Sequence, residues 1–314
     1  MKAVFLDRGS FPSYIKVTLP TSIKALVEYE NTPLEKVAER IKDADIVLTN
    51  KVVLNSDALH QASNLRLVQV MATGMNNVDL ETCAKCNITV QNVANYSTIS
   101  VPEHTFAMLL ALRRNLVAYL DDVKAGKWAD SKYFCFLDYP IKDLSGSTMT
   151  IIGGGTLGKR VASIALAFGM RVLFAERKGA TIIRDGYVEF ESALKSADVI
   201  SVNCPLTAES KNLIGSTEFA LMKSECLLLN ISRGGIVDEH ALKHALEHGQ
   251  ISGAAFDVAT QEPMPIDHPL QVLTKHPNFL LTPHIAWASN EAMQTLVNMA
   301  MEKIAFFVDK SEHK

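Results

Sequence analysis

Three polar side chains in the last third of the chain are of the types that transfer a proton beside an anchored carboxylate. They are Arg233 in Asn-Ile-Ser-Arg-Gly-Gly, Glu262 in Asp-Val-Ala-Thr-Gln-Glu-Pro and His284 in Thr-Pro-His-Ile-Ala. A planar guanidinium grips a carboxylate through two parallel hydrogen bonds and polarises a neighbouring carbonyl, with more geometric control than a lysine. An imidazole exchanges a proton near neutral pH, and a carboxylate beside it stabilises the imidazolium and fixes the ring. Taken singly, each has a bland reading. An arginine after a strand is commonly a surface charge, and a histidine near a proline is commonly a loop residue. Their joint position argues otherwise, because each follows a short apolar run, 227–231, 254–258 or 279–281. Ligands of open parallel sheets gather at the carboxyl ends of such strands.

A ligand is suggested by residues 148–158, Thr-Met-Thr-Ile-Ile-Gly-Gly-Gly-Thr-Leu-Gly, an apolar strand running into a glycine turn. Gly153, Gly155 and Gly158 fit G-x-G-x-x-G. The first allows the tight turn, the second lets a pyrophosphate approach bare backbone, and the third lets the next helix pack on the strand with its N-terminus facing the anion. Alone the pattern is weak. Glu176 strengthens it, ending the next strand about twenty residues on, where a dinucleotide fold sets an acid against the adenosine ribose hydroxyls. Arg177 and Lys178 follow it. A carboxylate here disfavours a 2′-phosphate and a neighbouring arginine attracts one, so NAD is favoured and NADP stays open. With a nicotinamide cofactor, an arginine for a carboxylate and a histidine for a hydroxyl proton suit a 2-hydroxy acid.

The elements that must position these groups alternate along the chain. Residues 2–6 read as strand, 33–43 as helix with Leu34, Val37, Ala38 and Ile41 on one face, and 46–49 as a buried strand. Ser56 caps a short helix, then 65–70 reads as strand, 78–86 as helix and 88–90 as strand, which makes a parallel α/β domain. Ser100-Val-Pro-Glu opens one long helix, capped by the serine and stopping near Gly126, expected to bridge two domains. The aromatic stretch 128–147 has little periodicity and suits a surface arm, either for a subunit contact or packed on its own domain. After the glycines, helices near 157–168, 191–196, 216–222 and 238–248 alternate with strands 171–175, 199–202, 227–231 and 254–258, and 279–281 adds a last strand. A helix over 289–308 is expected to return to the first domain. The fold class is α/β with two doubly wound parallel-sheet domains: residues 1–99 with 285–314, and residues 100–284.

Composition narrows the partners. With 48% hydrophobic and 21% charged residues the chain is an ordinary globular one, and a net charge of −3 without a long basic run offers nothing to nucleic acid or an anionic membrane. The N-terminal apolar run breaks at Asp7, too early for a signal peptide, and no run approaches a membrane span, so a cytoplasmic location is expected. Five cysteines without framework spacing suit reduced thiols, and the Cys83-x-x-Cys86 pair lacks the second pair a zinc site would need, so no metal is expected.

The motifs then make a specific resemblance. Gly153-x-Gly155-x-x-Gly158, Asn203-Cys-Pro-Leu-Thr, Asn230-Ile-Ser-Arg-Gly-Gly-Ile-Val-Asp-Glu, Gly253-Ala-Ala-Phe-Asp-Val and Thr282-Pro-His-Ile-Ala follow the order found in the D-isomer-specific 2-hydroxyacid dehydrogenase family, which the chain resembles over nearly its whole length. His284-Ile-Ala-Trp-Ala-Ser-Asn-Glu-Ala and Leu173-Phe-Ala-Glu-Arg-Lys-Gly-Ala are similar to its glycerate dehydrogenase, or hydroxypyruvate reductase, branch. The resemblance implies a Rossmann cofactor domain, a flavodoxin-like substrate domain and an active cleft between them. It implies Arg233, Glu262 and His284 as the catalytic trio, and substrate binding by Arg233, His284 and the backbone of Thr73 and Gly74. It implies cofactor contacts from Thr105, Thr156, Leu157, Cys204, Pro205, Ile231 and Asp257, and a homodimer paired through the cofactor domain. Two positions depart from the family: Asn203 where many members have histidine, and Glu176 where aspartate is usual. Glyoxylate reductase is the near alternative, since the substrates differ by a hydroxymethyl group. A non-catalytic, dinucleotide-sensing corepressor is the alternative of another class, and the complete trio speaks against it.

Overall fold

Short runs of apolar and β-branched residues bounded by turn residues are what a parallel sheet buries on both faces, and here they assemble into two such sheets. The computed structural model describes residues 1–312 and divides into two compact units, Met1–Ser97 with Ala288–Lys314, and Thr98–Trp287. The joins thus fall at 97/98 and 287/288, where the sequence alone suggests 99/100 and 284/285.

The first unit runs β1 (Lys2–Phe5), β2 (Ala25–Glu28), α1 (Val37–Ile41), β3 (Ile46–Thr49), α2 (Ser56–Gln61), β4 (Leu67–Val70), α3 (Leu80–Lys85) and β5 (Thr89–Gln91). The sheet order is β2-β1-β3-β4-β5 with every pair parallel, the flavodoxin-like arrangement. Strand β2 has no clear mark in the sequence because it is a half-exposed edge strand without a buried apolar run. The expected helix over 33–43 is a 3₁₀ turn, Leu34–Lys36, followed by the five residues of α1. In the C-terminal helix, Asn290–Glu312, the residues Leu296, Ala300, Ile304 and Val308 are buried at four-residue intervals, the stripe a helix needs to cover one face. Cys83 lies buried on α3, and burial pushes its thiol up to about 11, which suits an inert core cysteine.

The second unit begins with α4 (Ser100–Arg113) and α5 (Leu116–Lys124), where the sequence suggests one long helix. The break is at Asn115, which adopts the left-handed conformation (φ 48°, ψ 38°) that asparagine tolerates better than most residues. Its amide donates to the Pro140 carbonyl at 2.6 Å, and Lys142 N–H satisfies the Arg113 carbonyl left open by the break. Ser100 does not cap this helix: Ile99 is already helical and takes the cap position, while the Ser100 hydroxyl is buried without a partner among the described residues. The aromatic arm packs partly on α5, with Tyr119 edge-on to Tyr139, and leaves Tyr133, Phe134 and Leu137 at least three-quarters exposed.

The sheet then forms from β6 (Thr148–Ile152), α6 (Thr156–Ala167), β7 (Arg171–Ala175), β8 (Tyr187–Val188), α7 (Phe190–Ser196), β9 (Val199–Val202), α8 (Ser216–Leu221), β10 (Leu227–Asn230), α9 (Glu239–Glu247), β11 (Gly253–Phe256), α10 (Pro269–Leu273) and β12 (Phe279–Leu281). All pairs are parallel in the order β12-β11-β10-β9-β6-β7-β8, the doubly wound arrangement, whose direction of winding reverses between β6 and β9. One face is covered by α4 and α6 through Phe106, Leu109, Val161 and Ala165, and the other by α7 to α10 through Leu194, Phe219, Leu242 and Leu270. The short β8 and α10 carry too few residues to show a period. Among the described residues no helix is long and apolar enough to cross a membrane.

Candidate active site

The winding reversal puts the turn after β6 beside the loop after β9, and the glycines are what let them meet. Gly153 has φ +103°, and a Cβ on it would lie 2.7 Å from the Asn203 carbonyl and the Cys204 nitrogen. A Cβ on Gly158 would collide with the Gly153 carbonyl, so α6 could not start so close to the strand with any other residue. At Gly155 a Cβ would meet nothing within 4 Å, which leaves the backbone open to a ligand. Lys159 is the first residue of the turn to donate inward, to Gly155, so among the described residues the amides of Thr156, Leu157 and Gly158 have no acceptor and remain for an external one. Bare backbone, three outward amides and a twelve-residue helix behind them fit the pyrophosphate of a dinucleotide.

At the end of β7, Glu176 is engaged within the protein. Its Oε1 accepts from Arg184 Nη2 (2.7 Å) and Arg177 N–H (2.8 Å), and its Oε2 from Arg184 Nε (2.6 Å) and Arg184 N–H (3.2 Å). The Arg184 fork, with the Arg177 amide, holds this carboxyl down at about 2. Arg177 is exposed, and Lys178 is paired with the buried Glu218 at 2.7 Å.

Arg233 stands on a loop tied off by Asn230. That buried side chain donates to the Arg233 carbonyl at 2.9 Å and accepts from both the amide and the hydroxyl of Ser232. The guanidinium donates to the Ser232 carbonyl and has no ion pair among the described residues, so it is available to an anion. The next residue, Gly234, lies so close to the Ala259–Thr260 backbone that a Cβ would overlap the Ala259 carbonyl. The Arg233 loop therefore rests directly on the loop that carries Glu262.

Glu262 Oε1 accepts from its own loop at Ala259 N–H (3.0 Å), and its Oε2 accepts from His284 Nδ1 at 2.7 Å. Because a carboxylate only accepts, Nδ1 carries the hydrogen and Nε2 is the nitrogen that can exchange a proton with a substrate. The Glu262 loop is braced by Glu239, the first residue of α9. One oxygen of Glu239 accepts from Thr260 N–H (2.9 Å), and the other lies 2.7 Å from the Thr260 hydroxyl and 3.1 Å from His268 Nε2. His268 Nδ1 accepts from Leu270 N–H, so its Nε2 is the donor to this group.

The turn that presents His284 is held by Asp257, which is almost fully buried. Its Oδ1 accepts from the Thr282 hydroxyl (2.6 Å) and Ile285 N–H (2.9 Å), and its Oδ2 from Ala286 N–H (2.8 Å). His104 Nε2 donates in turn to Thr282 at 3.0 Å. With these bonds the backbone at His284 adopts φ +55°. Ile231 and Ala286 then share an apolar cluster with Val101, against which Leu157 and Trp287 pack, so the phosphate-side turn and the His284 turn sit on one floor.

Two of the expected cofactor contacts, Thr105 and Asp257, hold structural bonds in this fold. Thr105 is fully buried and donates its hydroxyl to the Val101 carbonyl at 2.8 Å, a structural role within α4. Asp257 accepts three hydrogen bonds from the His284 turn and so positions it. Cys204 is half-buried beside Gly153, and the Pro205 carbonyl accepts from Ser210. In the first unit, Thr73 Oγ donates to Val93, Asn92 donates to the Thr73 carbonyl, and among the described residues neither Thr73 N–H nor Gly74 N–H has an acceptor. Sequence reasoning missed Gly234, Glu239, Thr260, His268 and Arg184. A glycine directly after the arginine and an acid opening α9 were legible signals for the first two. The others depend on tertiary contacts.

Comparison with known proteins identifies the family. The family model for the D-isomer specific 2-hydroxyacid dehydrogenase NAD binding domain matches residues 106–286, within the second unit. The glycerate dehydrogenase of Methylorubrum extorquens is 43% identical over 309 residues, covering 98% of this chain and 96% of that one. The hydroxypyruvate reductase of Blautia hydrogenotrophica is 36% identical over 283 residues, covering 89% and 87%. The crystal structure of D-lactate dehydrogenase from Aquifex aeolicus, complexed with NAD and lactic acid, superposes with a TM-score of 0.80 at 27% identity, covering 100% of this chain and 97% of that one. The chain belongs to the D-isomer specific 2-hydroxyacid dehydrogenase family and is an NAD-dependent oxidoreductase acting on small 2-hydroxy acids.

Proposed function

We propose that the protein interconverts hydroxypyruvate and D-glycerate. The observation that carries the chemistry is the 2.7 Å hydrogen bond from His284 Nδ1 to Glu262, on a loop against which the Arg233 loop rests. Arg233 binds the substrate carboxylate through its fork and polarises the adjacent C2 carbonyl. His284 Nε2 gives a proton to the carbonyl oxygen, and Glu262 stabilises the charge on the ring before that transfer. Bound reduced nicotinamide supplies the hydride to C2. In the direction of oxidation His284 takes the hydroxyl proton back. Two relatives named for glycerate and hydroxypyruvate, at 43% and 36% identity, support this choice of substrate.

Steady-state rates with hydroxypyruvate, glyoxylate and pyruvate, each with NADH and NADPH, test the reading. Hydroxypyruvate is expected to give the highest kcat/KM. A higher value for glyoxylate would reassign the substrate, and no oxidation of either cofactor would favour the corepressor instead. The reading includes a cytoplasmic homodimer, supported by five free cysteines and by the exposed Tyr133, Phe134 and Leu137 of the arm. Phe134→Asp is expected to convert a dimer into a monomer in sedimentation; a wild-type monomer would refute this part.

A further inference from the structure

The fork between Arg184 and Glu176 alters what the ribose edge of the dinucleotide site can bind. A carboxylate has about four lone-pair positions. On Glu176 all are engaged, two by the Arg184 guanidinium and two by the amides of Arg177 and Arg184. Ribose hydroxyls, which need an acceptor here, find none free. The clamp is itself held, because the Arg184 guanidinium lies 3.9 Å from the centre of the Tyr187 ring. Glu176 is buried while Arg184 is half exposed, so the side turned to solvent is the cation.

The charges around the clamp point the same way. Glu176 and Arg184 cancel, and Lys178 is neutralised by Glu218. Arg177 is exposed and has no ion pair among the described residues. Glu209, whose carboxyl is lowered first by the Thr207 hydroxyl, feels the Arg177 charge without pairing to it. An acid that would repel a 2′-phosphate has become part of a neutral pair, next to a free guanidinium suited to phosphate.

We propose that Arg184 sets cofactor choice in this enzyme: by clamping Glu176 it withdraws the ribose acceptor, removes the repulsion toward a 2′-phosphate, and with Arg177 makes the site accept NADPH alongside NADH. This rests on the dinucleotide reading of the Gly153–Gly158 turn. Releasing the clamp frees Glu176 to accept ribose hydroxyls and to repel the phosphate.

Calorimetric titration of the full-length protein with 2′,5′-ADP and with 5′-AMP tests the proposal without turnover. In Arg184→Ala the affinity for 2′,5′-ADP should fall roughly tenfold or more relative to that for 5′-AMP, because the neutral pair becomes one uncompensated negative charge, which repels a nearby phosphate by at least that much at an effective dielectric near 20. Glu176→Gln, which removes the charge and frees the Arg184 fork, should shift the ratio the other way, and it serves if the first variant does not fold. Equal changes for both nucleotides in both variants would overturn the role of Arg184 while leaving the dinucleotide site intact. Failure of wild type to bind either nucleotide would overturn the reading of the turn as well.

Discussion

In the proposed mechanism a single short hydrogen bond decides which nitrogen of His284 faces the substrate. Nδ1 is committed to Glu262 at 2.7 Å, and the proton exchanged with substrate must therefore sit on Nε2. General acid–base groups contribute typically ~10²–10⁴-fold to rate. His284→Gln is accordingly expected to lower kcat by about that factor while the Kd for NADH, followed by fluorescence, changes little; near-normal kcat would remove His284 from the mechanism. Glu262→Gln keeps the shape of the partner but not its charge. Its expected effect is a smaller fall in kcat, roughly ten- to a hundredfold, with KM for the oxo acid nearly unchanged. A variant with wild-type kcat would show that the carboxylate does not support the imidazolium.

At the scale of elements, the proposed site is made by three loops at the carboxyl ends of β10, β11 and β12, and each is tied by a buried polar residue. Asn230 knots the Arg233 loop, Glu239 with His268 braces the Glu262 loop, and Asp257 holds the His284 turn. Buried polar groups this fully satisfied rigidify what they connect. The contact between the first two loops depends on one missing methyl group. Gly234→Ala would push a Cβ into the Ala259 carbonyl, and the strain of such overpacking is about 1–3 kcal/mol. The loops would separate to relieve it. We expect kcat/KM to fall at least about tenfold with NADH affinity retained, since neither loop belongs to the glycine turn. Wild-type kinetics in this variant would mean that the two loops need not touch.

Across the whole molecule, the group proposed to govern cofactor choice also bears on stability. Glu176 is held at about 2 in the folded protein, mainly by Arg184, against an ordinary value of 4.5. A carboxylate with a depressed value stabilises the fold fully above its unfolded value and loses that contribution as pH falls toward its folded one. The difference in denaturation midpoint between wild type and Glu176→Gln should therefore be constant above about pH 5 and shrink between pH 4.5 and 2. A difference independent of pH over that range would show that the Arg184 fork does not hold in solution.

The sequence by itself determined the alternation of strands and helices and the glycine turn after β6, and it singled out Arg233, Glu262 and His284 as candidates. These are written locally, in buried apolar runs, glycine spacing and the residues that follow each strand. It also placed the C-terminal helix with the first unit, because the second sheet is complete before that helix begins. Only the tertiary structure decided the rest. The half-exposed edge strand β2 lacks a buried run, and the break at Asn115 follows from an asparagine that the arm at Pro140 can bond. The structural bonds of Thr105 and Asp257 depend on burial and hydrogen bonding, which no spacing encodes. Glu176 shows the limit most plainly: its place at the strand end is local, but whether its oxygens are free depends on Arg184, eight residues away on a loop whose path only folding fixes.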